Sequence, residues 1–285
     1  MKFAAAFVLL ATLAGAASVQ AAAKSAPAVA TAPTAADWRT PDAQNVLVID
    51  TSKGRIVVEM SPAAAPASVA RVRELTRAGF YDGRAFFRVI DNFMDQTGDP
   101  QDNGQGGSTK PDLPAEFTFR RDAATPLVVA TRAQGVESGF LGSLPVISQT
   151  MDLGLLTADH KVNAWGTFCP GVVGMARAEA PNSGNSQFFL MRGAQTDLDQ
   201  KYTPWGRAIF GQNVIDAIKT GEPPTPPADT MAKVRLLADI PAAERPTVRV
   251  IDPAGPWFKA MVERVRVEKV IDFSICDLDF PAEVK

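Results

Sequence analysis

The spacing of apolar residues predicts a β-hairpin followed by a helix near the start of the folded region. Two apolar runs, at 46–50 and 55–60, flank the polar tetrapeptide Thr-Ser-Lys-Gly, which is typical of a hairpin. Between Pro66 and Gly79 the apolar residues recur at helical spacing instead, at Val69, Val72, Leu75 and Ala78. Proline in a first turn and glycine after a last turn are helix boundary signals, so one amphipathic helix is predicted here.

Short apolar runs separated by Gly-rich and Pro-rich segments continue along the rest of the chain. They predict strands at 85–90, 128–131, 172–176, 187–191, 205–210, 233–240 and 271–278, and helices at 213–220 and 257–266. Residues 134–165 have weak periodicity and several glycines, so an inserted loop region is predicted around them. The expected fold class is mainly β: a closed antiparallel β-barrel of about eight strands capped by two helices, with the inserted loop region and a C-terminal extension.

The first residues have the pattern of a secretory signal peptide, predicted at 1–21. Lys2 precedes an apolar run at 3–17, and the small-residue exit Val-Gln-Ala ends at Ala21. The run is too short and too rich in alanine for a membrane span, and no cysteine follows it. The mature chain is therefore expected to be exported, without a membrane span, and to be periplasmic if the source is a Gram-negative bacterium.

The composition changes again after the predicted signal peptide. Residues 22–45 begin with a stretch of Ala, Pro, Thr and Ser and are predicted to be a flexible linker. The folded domain is predicted at 46–240, with the insertion at about 120–165, and a C-terminal extension follows at 241–285.

Charge and reactive residues argue against several classes of function. A formal net charge of −2 gives no reason to expect a nucleic-acid partner. The single histidine, His160, lies in the insertion, no G-x-S-x-G motif is present and no Cys/His spacing suggests zinc, so neither a hydrolase triad nor a metal or other cofactor is expected. The two cysteines, Cys169 and Cys276, leave two alternatives open: a disulfide, which export would allow, or two separate buried side chains.

Two segments combine apolar residues with a few polar ones. Residues 86–100 read FFRVIDNFMDQTGDP, and residues 181–189 read PNSGNSQFF. They supply an arginine and an amide, Arg88 and Gln96, next to the apolar side chains of Phe93, Met94 and Phe189. An apolar surface with one permanently charged donor suits the binding of a proline ring and of the amide that precedes it.

These segments belong to five blocks whose order resembles the cyclophilin family of peptidyl-prolyl cis-trans isomerases. Within residues 46–240 the blocks read FFRVI, AEF, PGVVGMA, NSGNSQFF and LDQKYTPWG. The resemblance implies that Arg88 is the catalytic arginine and that Gln96 helps to fix it and the peptide. It also implies substrate-binding residues, namely Phe93, Met94, Phe189 and Leu198 in a proline pocket, Ala176 and Arg177 along an extended peptide, and Tyr202 at the rim.

The chain departs from the family pattern in several places. Phe87 stands where a histidine commonly precedes the arginine. Asp197 stands where the animal proteins carry a tryptophan that contributes to cyclosporin binding, so weak cyclosporin binding is expected. The stretch between AEF and PGVVGMA is longer than in a minimal cyclophilin, and the tail after Ile240 has no counterpart in that core.

Two hypotheses of different classes follow from these features. The first is a peptidyl-prolyl isomerase that acts on Xaa-Pro bonds in unfolded or extended polypeptides and assists the folding of exported proteins. The second is a proline-peptide-binding or chaperone module with little isomerase activity, in which the insertion and the tail dock partners. Arg88 and Gln96 favour the enzyme, because a binding module has less need of them, whereas the insertion and Phe87 favour the binding module.

Overall fold

The computed structural model describes residues 32–285. The predicted signal peptide, 1–21, and the first part of the predicted linker, 22–31, lie outside the described residues. The α-helices are α1 (Pro66–Arg77), α2 (Gln212–Ala217) and α3 (Pro256–Glu268). No helix within 32–285 has both the length and the apolar character that a membrane span requires.

The strands of the described chain form three sheets. In chain order they are β1 (Trp38–Arg39), β2 (Val46–Thr51), β3 (Gly54–Met60), β4 (Arg84–Ala85), β5 (Arg88–Ile90), β6 (Met94–Thr97), β7 (Phe119–Arg121), β8 (Leu127–Ala133), β9 (Val136–Leu141), β10 (Leu144–Gln149), β11 (Val162–Gly166), β12 (Val172–Met175), β13 (Phe188–Met191), β14 (Thr203–Phe210), β15 (Thr230–Leu236), β16 (Val248–Ile251) and β17 (Ala282–Val284).

A nine-stranded antiparallel sheet, in the order β4-β15-β2-β3-β14-β12-β13-β6-β5, makes the main body of the fold. Its two edge strands, β4 and β5, are separated in the chain only by Phe86 and Phe87, so the sheet curls until its edges meet. The predicted mainly β fold with a curled antiparallel sheet is confirmed, but the barrel is not strictly closed. The Phe86 amide donates to the Asp229 carbonyl, whereas the Phe87 amide donates to the Gln96 carbonyl. The predicted strand at 85–90 is therefore two short strands, β4 and β5, that pair with different neighbours. We call the break between β4 and β5 the seam.

The predicted helix between Pro66 and Gly79 is confirmed as α1. The helix has Pro66 in its first turn, and the Glu116 carboxylate accepts hydrogen bonds from the amides of Ala67 and Ser68, at 2.8 and 2.9 Å. A carboxylate at this end satisfies amides that have no partner within the helix and is favoured by the helix dipole. The AEF block therefore anchors α1 to the sheet.

The two faces of the nine-stranded sheet pack against different parts of the chain. Side chains alternate between faces along a strand. On β13, Phe188 belongs to the apolar cluster that contains the buried residues of α1 and α2. The next residue, Phe189, belongs to the cluster that contains the insertion and the C-terminal extension.

The insertion is a five-stranded antiparallel sheet, in the order β7-β11-β10-β9-β8, and the predicted loop region is wrong. Its central hairpin pairs β9 with β10 from Leu141 and Leu144 outwards. Alternation is weak in the sequence because small residues stand at strand positions. Gly139 is required by packing, since a Cβ there would lie 2.2 Å from the Val128 carbonyl oxygen.

The C-terminal extension and residues before 46 form a second small sheet, in the order β1-β16-β17. The helix predicted at 257–266 is confirmed as α3, but the strand predicted at 271–278 is wrong, because Ile275–Asp277 form a 3₁₀ turn that the Ser274 side chain caps. The flexible linker is also wrong where β1 lies, since Trp38 and Arg39 pair with β16. Arg39 further donates two hydrogen bonds, of 2.6 and 2.8 Å, to the Glu59 carboxylate of β3.

We call the insertion sheet, the C-terminal extension and β1 together the added lobe. Three phenylalanines join its parts: Phe140 of β9 lies 5.3 Å from Phe258 of α3 and 5.1 Å from Phe280, measured between ring centroids. Cys169, which precedes β12, forms a disulfide with Cys276 of the extension, 107 residues later. Apolar packing, the Arg39–Glu59 ion pair and one disulfide thus attach the lobe to the rest of the fold.

Candidate functional site

Three neighbouring strands of the nine-stranded sheet carry the centre of the site. In the register of β5 with β6, Arg88 lies opposite Gln96. In the register of β6 with β13, Gln96 lies opposite Phe189. The three residues therefore form a row across the sheet, on the face that also carries the added lobe. The blocks FFRVI, NFMDQ and SQFF meet here because each belongs to one of these strands.

All nine residues expected at the site line one open cavity of about 140 Å³. They are Arg88, Phe93, Met94, Gln96, Ala176, Arg177, Phe189, Leu198 and Tyr202. The structure thus brings together residues that are spread over more than a hundred positions of the sequence.

Aromatic packing fixes the floor of this cavity. The Phe189 ring stacks on Phe168, with centroids 5.7 Å apart, and meets the Tyr202 ring edge to face at 5.8 Å. Gly174, opposite Phe189 on β12, makes room for both rings, because a Cβ there would lie 2.6 Å from Phe189 Cζ and 2.7 Å from Phe168 Cε1. Met94 and Phe189 are only 2% and 5% exposed, so the floor is rigid and apolar.

A chain of amides runs from Arg88 to the Gly-rich loop. Arg88 Nη1 donates to Gln96 Oε1 at 3.5 Å, and Gln96 Nε2 donates to Gln187 Oε1 at 2.9 Å. Gln187 Nε2 in turn donates to the carbonyl oxygens of Gly104 and Gly106. These bonds orient the Gln96 side chain with its oxygen towards the guanidinium.

Gln187 is a site residue that the sequence reading missed. It stands inside the NSGNSQFF block, immediately before Phe188, and the position of that block beside the pocket was the available signal. Its role in the chain of amides depends on the path of the Gly-rich loop, which the sequence pattern does not define.

Glu222 is the second residue that the sequence reading missed. Arg88 Nε donates to Glu222 Oε2 at 2.7 Å, although the two residues are 134 positions apart. The proline-rich segment that follows Gly221 indicates only a break in the chain, so no sequence signal placed this carboxylate beside the arginine.

Arg177 organises the rim of the cavity. Its guanidinium lies over the Tyr202 ring, 4.5 Å from the centroid, and over the Phe117 ring at 5.5 Å. Its Nε donates to the Lys201 carbonyl, which joins the end of the PGVVGMA block to the LDQKYTPWG block. A stacked, hydrogen-bonded arginine of this kind holds the rim in one conformation.

A second, larger cavity of about 460 Å³ adjoins the first and shares Gln96, Ala176 and Arg177 with it. The Gly-rich loop, 104–107, forms one side of this second cavity. The Asp99 carboxylate holds that loop by accepting hydrogen bonds from the amides of Gln101, Asn103 and Gly104. The two cavities together make a groove longer than a single proline ring.

A buried contact between a carboxyl group and a guanidinium lies on the opposite face of β6. Asp95 is fully buried, and Arg192 Nη1 donates to its Oδ1 at 3.3 Å. Burial raises the pKa of Asp95 to about 8, although the nearby positive charge of Arg192 acts in the other direction. Because Asp95 points away from the cavity, it belongs to the support of the site.

No cluster of three or more His, Cys, Asp or Glu side chains within 32–285 has the arrangement of a metal site. The polar groups that face the cavity are guanidinium, amide and phenol groups, which donate or accept hydrogen bonds but are poor nucleophiles. What this arrangement can do is grip an apolar ring and direct an N–H donor at it.

Comparison with known proteins gives the same answer as the geometry. Residues 46–236 match the family described as "Cyclophilin type peptidyl-prolyl cis-trans isomerase/CLD". A "Probable peptidyl-prolyl cis-trans isomerase" of Brucella suis biovar 1 is 33% identical over 191 residues, which cover 63% of this chain and 74% of the relative.

The crystal structure of cyclophilin AquaCyp293 from Hirschia baltica superposes with a TM-score of 0.80 at 34% identity. The match covers 87% of this chain and 93% of that chain, so part of the chain outside 46–236 also has a counterpart there. With the family match spanning most of the described residues, the chain belongs to the cyclophilin family and is a peptidyl-prolyl cis-trans isomerase.

Proposed function

We propose that Arg88 is the catalytic group of this isomerase and that Gln96 holds it in place. The observation that carries the proposal is the position of the Arg88 guanidinium at the edge of the apolar cavity, with Gln96 opposite it in the sheet register. Arginine stays charged at every physiological pH and presents its N–H groups as a rigid fork, so it is a permanent donor.

The reaction needs a donor that acts only while the bond is twisted. An Xaa-Pro amide is planar in both isomers, and rotation between them has a barrier of roughly 20 kcal/mol because resonance is lost at the twisted geometry. The prolyl nitrogen then has a free lone pair. A guanidinium N–H directed at that nitrogen bonds more strongly in the transition state than in either ground state, and this difference accelerates the rotation.

The apolar residues have two functions in this proposal. Phe93, Met94, Phe189 and Leu198 hold the proline ring while the acyl side of the bond turns. They also exclude water, which strengthens the hydrogen bond from Arg88 because competing solvent and its high dielectric are removed. No atom or proton is transferred, so no cofactor takes part in the mechanism.

The substrates we propose are extended or unfolded polypeptides that contain Xaa-Pro bonds. The second cavity continues past Ala176 and Arg177, which gives room for residues on one side of the proline. Cyclosporin binding is expected to be weak, since Asp197 places a carboxylate next to Leu198, where the resemblance predicts the tryptophan of animal cyclophilins.

The proposed place of action is outside the cytoplasm, on exported proteins that are folding. Two features support this: the pattern of the first 21 residues, and the disulfide between Cys169 and Cys276, a bond typical of oxidising compartments. In a Gram-negative bacterium the compartment would be the periplasm.

A second candidate function is binding of partner polypeptides by the added lobe. A groove of about 260 Å³ lies between β8, at the edge of the insertion sheet, and α3 of the extension. Val128, Val129 and Ala130 line it on one side, and Phe258 and Val262 on the other. Such a groove favours a chaperone role for the lobe, in which it binds apolar segments of a partner polypeptide.

The experiment that separates the two candidates compares the wild type with Arg88→Ala. Cis-trans exchange of an Ala-Pro-Phe peptide is measured by NMR, and protection of an unfolded protein from aggregation is measured by light scattering. We expect exchange to slow by about tenfold or more in the variant, the loss of at least 1.4 kcal/mol of transition-state stabilisation. Equal exchange rates for both proteins would exclude Arg88 as the catalytic group, and protection that survives the substitution would support the second function.

A further inference from the structure

The strand that carries Arg88 is paired on both of its edges. On one edge β6 places Gln96 opposite Arg88. On the other edge Val89 and Gly221 exchange two backbone hydrogen bonds, each of 2.8 Å. In an antiparallel register, a pair at Val89 and Gly221 makes the preceding residue of one segment face the following residue of the other. Glu222 therefore lies opposite Arg88, as Gln96 does on the other side.

The side chains of Arg88 and Glu222 contact each other because this register places the two residues side by side. Arg88 Nε donates to Glu222 Oε2 at 2.7 Å, a charge-assisted bond, and Arg88 Nη1 reaches Gln96 Oε1 at 3.5 Å. The guanidinium is planar and rigid, so two partners on two edges define its plane. The bond to Glu222 is the shorter of the two, and it joins opposite charges.

The segment that carries Glu222 is itself held in place. The amide of Lys219 donates to Asp229 Oδ2 at 2.8 Å, and Lys219 Nζ donates to the Thr225 carbonyl at 2.7 Å. Gly221 lies tightly against this segment, because a Cβ there would be 2.5 Å from the Cα of Pro224. A carboxylate on a fixed segment can orient a flexible arginine.

We infer that Glu222 is a positioning residue for Arg88: it binds Nε and so directs the remaining N–H groups of the guanidinium at the cavity. This inference rests on the proposed catalytic role of Arg88. Glu222 does not line the cavity, and its link to the cavity runs through the arginine. A guanidinium that is already oriented in the ground state stabilises the transition state more than one that must become ordered while the bond twists.

The solvent exposure of the Arg88–Glu222 pair distinguishes a positioning role from a role in stability. The side chains of Arg88 and Glu222 are 40% and 52% exposed. An ion pair this open adds little to the free energy of unfolding, because water screens it and two long side chains lose rotamer freedom. Removing Glu222 should therefore change the rate of isomerisation and leave stability almost unchanged.

The test uses the full-length protein and the variants Glu222→Ala, Glu222→Gln, Arg88→Ala and Arg88→Ala/Glu222→Ala. Rates of peptide isomerisation give kcat and KM, and urea unfolding gives stability. Glu244→Ala is the matched control, since Glu244 is 67% exposed and also faces an arginine, Arg235, at 3.9 Å, but on a part of the chain away from the cavity.

We expect Glu222→Ala to lower kcat about threefold to fivefold with KM unchanged, the effect of losing an exposed charged partner. Glu222→Gln, which keeps an oxygen acceptor for Nε, should recover part of that loss. The difference between wild type and Glu222→Ala should shrink as salt is raised, because salt screens exposed ion pairs. In the Arg88→Ala background, Glu222→Ala should cause no further loss, and Glu244→Ala should match the wild type throughout.

Three results would overturn the inference. One is an unchanged kcat in Glu222→Ala while Arg88→Ala is slow, which removes the role of Glu222 but keeps that of Arg88. Another is an equal fractional loss with and without Arg88, which means that Glu222 does not act through the arginine. A third is a faster Glu222→Ala, which means that the carboxylate withholds Arg88 from the substrate. An Arg88→Ala variant as fast as wild type would instead refute the proposed catalytic group itself.

Discussion

The cavity beside Arg88 and the junction of the added lobe share one apolar cluster but are held together by different forces. Phe189 at the floor of the cavity and Phe140 in the insertion both belong to that cluster. Around Phe189 the decisive groups are polar and partly exposed, with hydrogen bonds from Arg88 to Gln96 and Glu222. Around Phe140 the contacts are aromatic and buried, and a disulfide lies in the same cluster.

This difference separates the polar residues proposed for catalysis from the buried aromatic residues of the added lobe, although both regions share one apolar cluster. Polar, half-exposed groups set the direction of a hydrogen bond but contribute little to the free energy of unfolding. The buried aromatic rings of the added lobe contribute several kcal/mol each and do not line the cavity. Substitutions in the two regions should therefore have opposite signatures, and the following changes test that separation.

The largest effect is expected from Phe258→Ala. This ring is 1% exposed and lies against Phe140 and Phe280. Removing it should lower the free energy of unfolding by about 3–5 kcal/mol, because transfer energy is lost and a cavity remains. Urea unfolding measures this loss. Phe210→Ala is the control, because it makes the same substitution at a ring that is 39% exposed. Slower isomerisation by the fully folded Phe258→Ala protein would break the separation.

The next effect concerns the disulfide. Replacing Cys169 and Cys276 together by alanine should lower the free energy of unfolding by about 2–4 kcal/mol, since the unfolded chain loses a cross-link that spans 107 residues. When a reductant is added, the free energy of unfolding of the wild type should fall to that of the double variant. The double variant has no cysteine, so it should not respond to the reductant; if wild type does not respond either, the bond adds nothing to stability.

A pH-dependent effect is expected at Asp95, which lies beneath the cavity. Its pKa is raised by burial to about 8, above the value near 4 of an unfolded chain. Between those values only the unfolded state releases the proton, so this group makes the protein less stable as pH rises from about 4 to 8 and has no further effect above that.

Asp95→Asn keeps the shape of the side chain and removes the titration. We expect the fall in stability between pH 4 and pH 8 to be smaller in the variant, because the asparagine amide binds no proton in either the folded or the unfolded state. Urea midpoints at both pH values measure it, with Arg192, Asp216 and Asp229 unchanged as the charges that act on the group. Parallel pH profiles for the two proteins would show that Asp95 is ionised in the folded state throughout.

The sequence predicted the cavity well because its residues lie in short blocks on adjacent strands. Arg88, Gln96 and Phe189 occupy three paired strands, and the block order alone indicated their meeting. Glu222 could not be predicted in this way. Its position beside Arg88 depends on one isolated backbone pair, Val89 with Gly221, that joins segments far apart in the chain.

The added lobe was predicted less well for a related reason. Gly139 weakens the strand pattern of β9 at a place where packing against Val128 requires glycine. Trp38 and Arg39 form a strand only because β16, more than two hundred residues later, supplies the partner. Local composition therefore predicts a loop at Gly139 and a linker at Trp38 and Arg39, because the partners that order these residues are not visible in it. The same limit explains the seam between β4 and β5, which depends on hydrogen bonds to Asp229 and Gln96.

The seam has a consequence for the motions of the enzyme. Arg88 lies on an edge strand, three residues long, whose outer edge is paired only at Gly221. Local opening of a folded protein begins where backbone hydrogen bonds are few and near solvent. The strand that carries the guanidinium is therefore expected to be among the first parts of the sheet to loosen on heating. Activity should then fade at temperatures where the phenylalanines of the added lobe still hold the chain together.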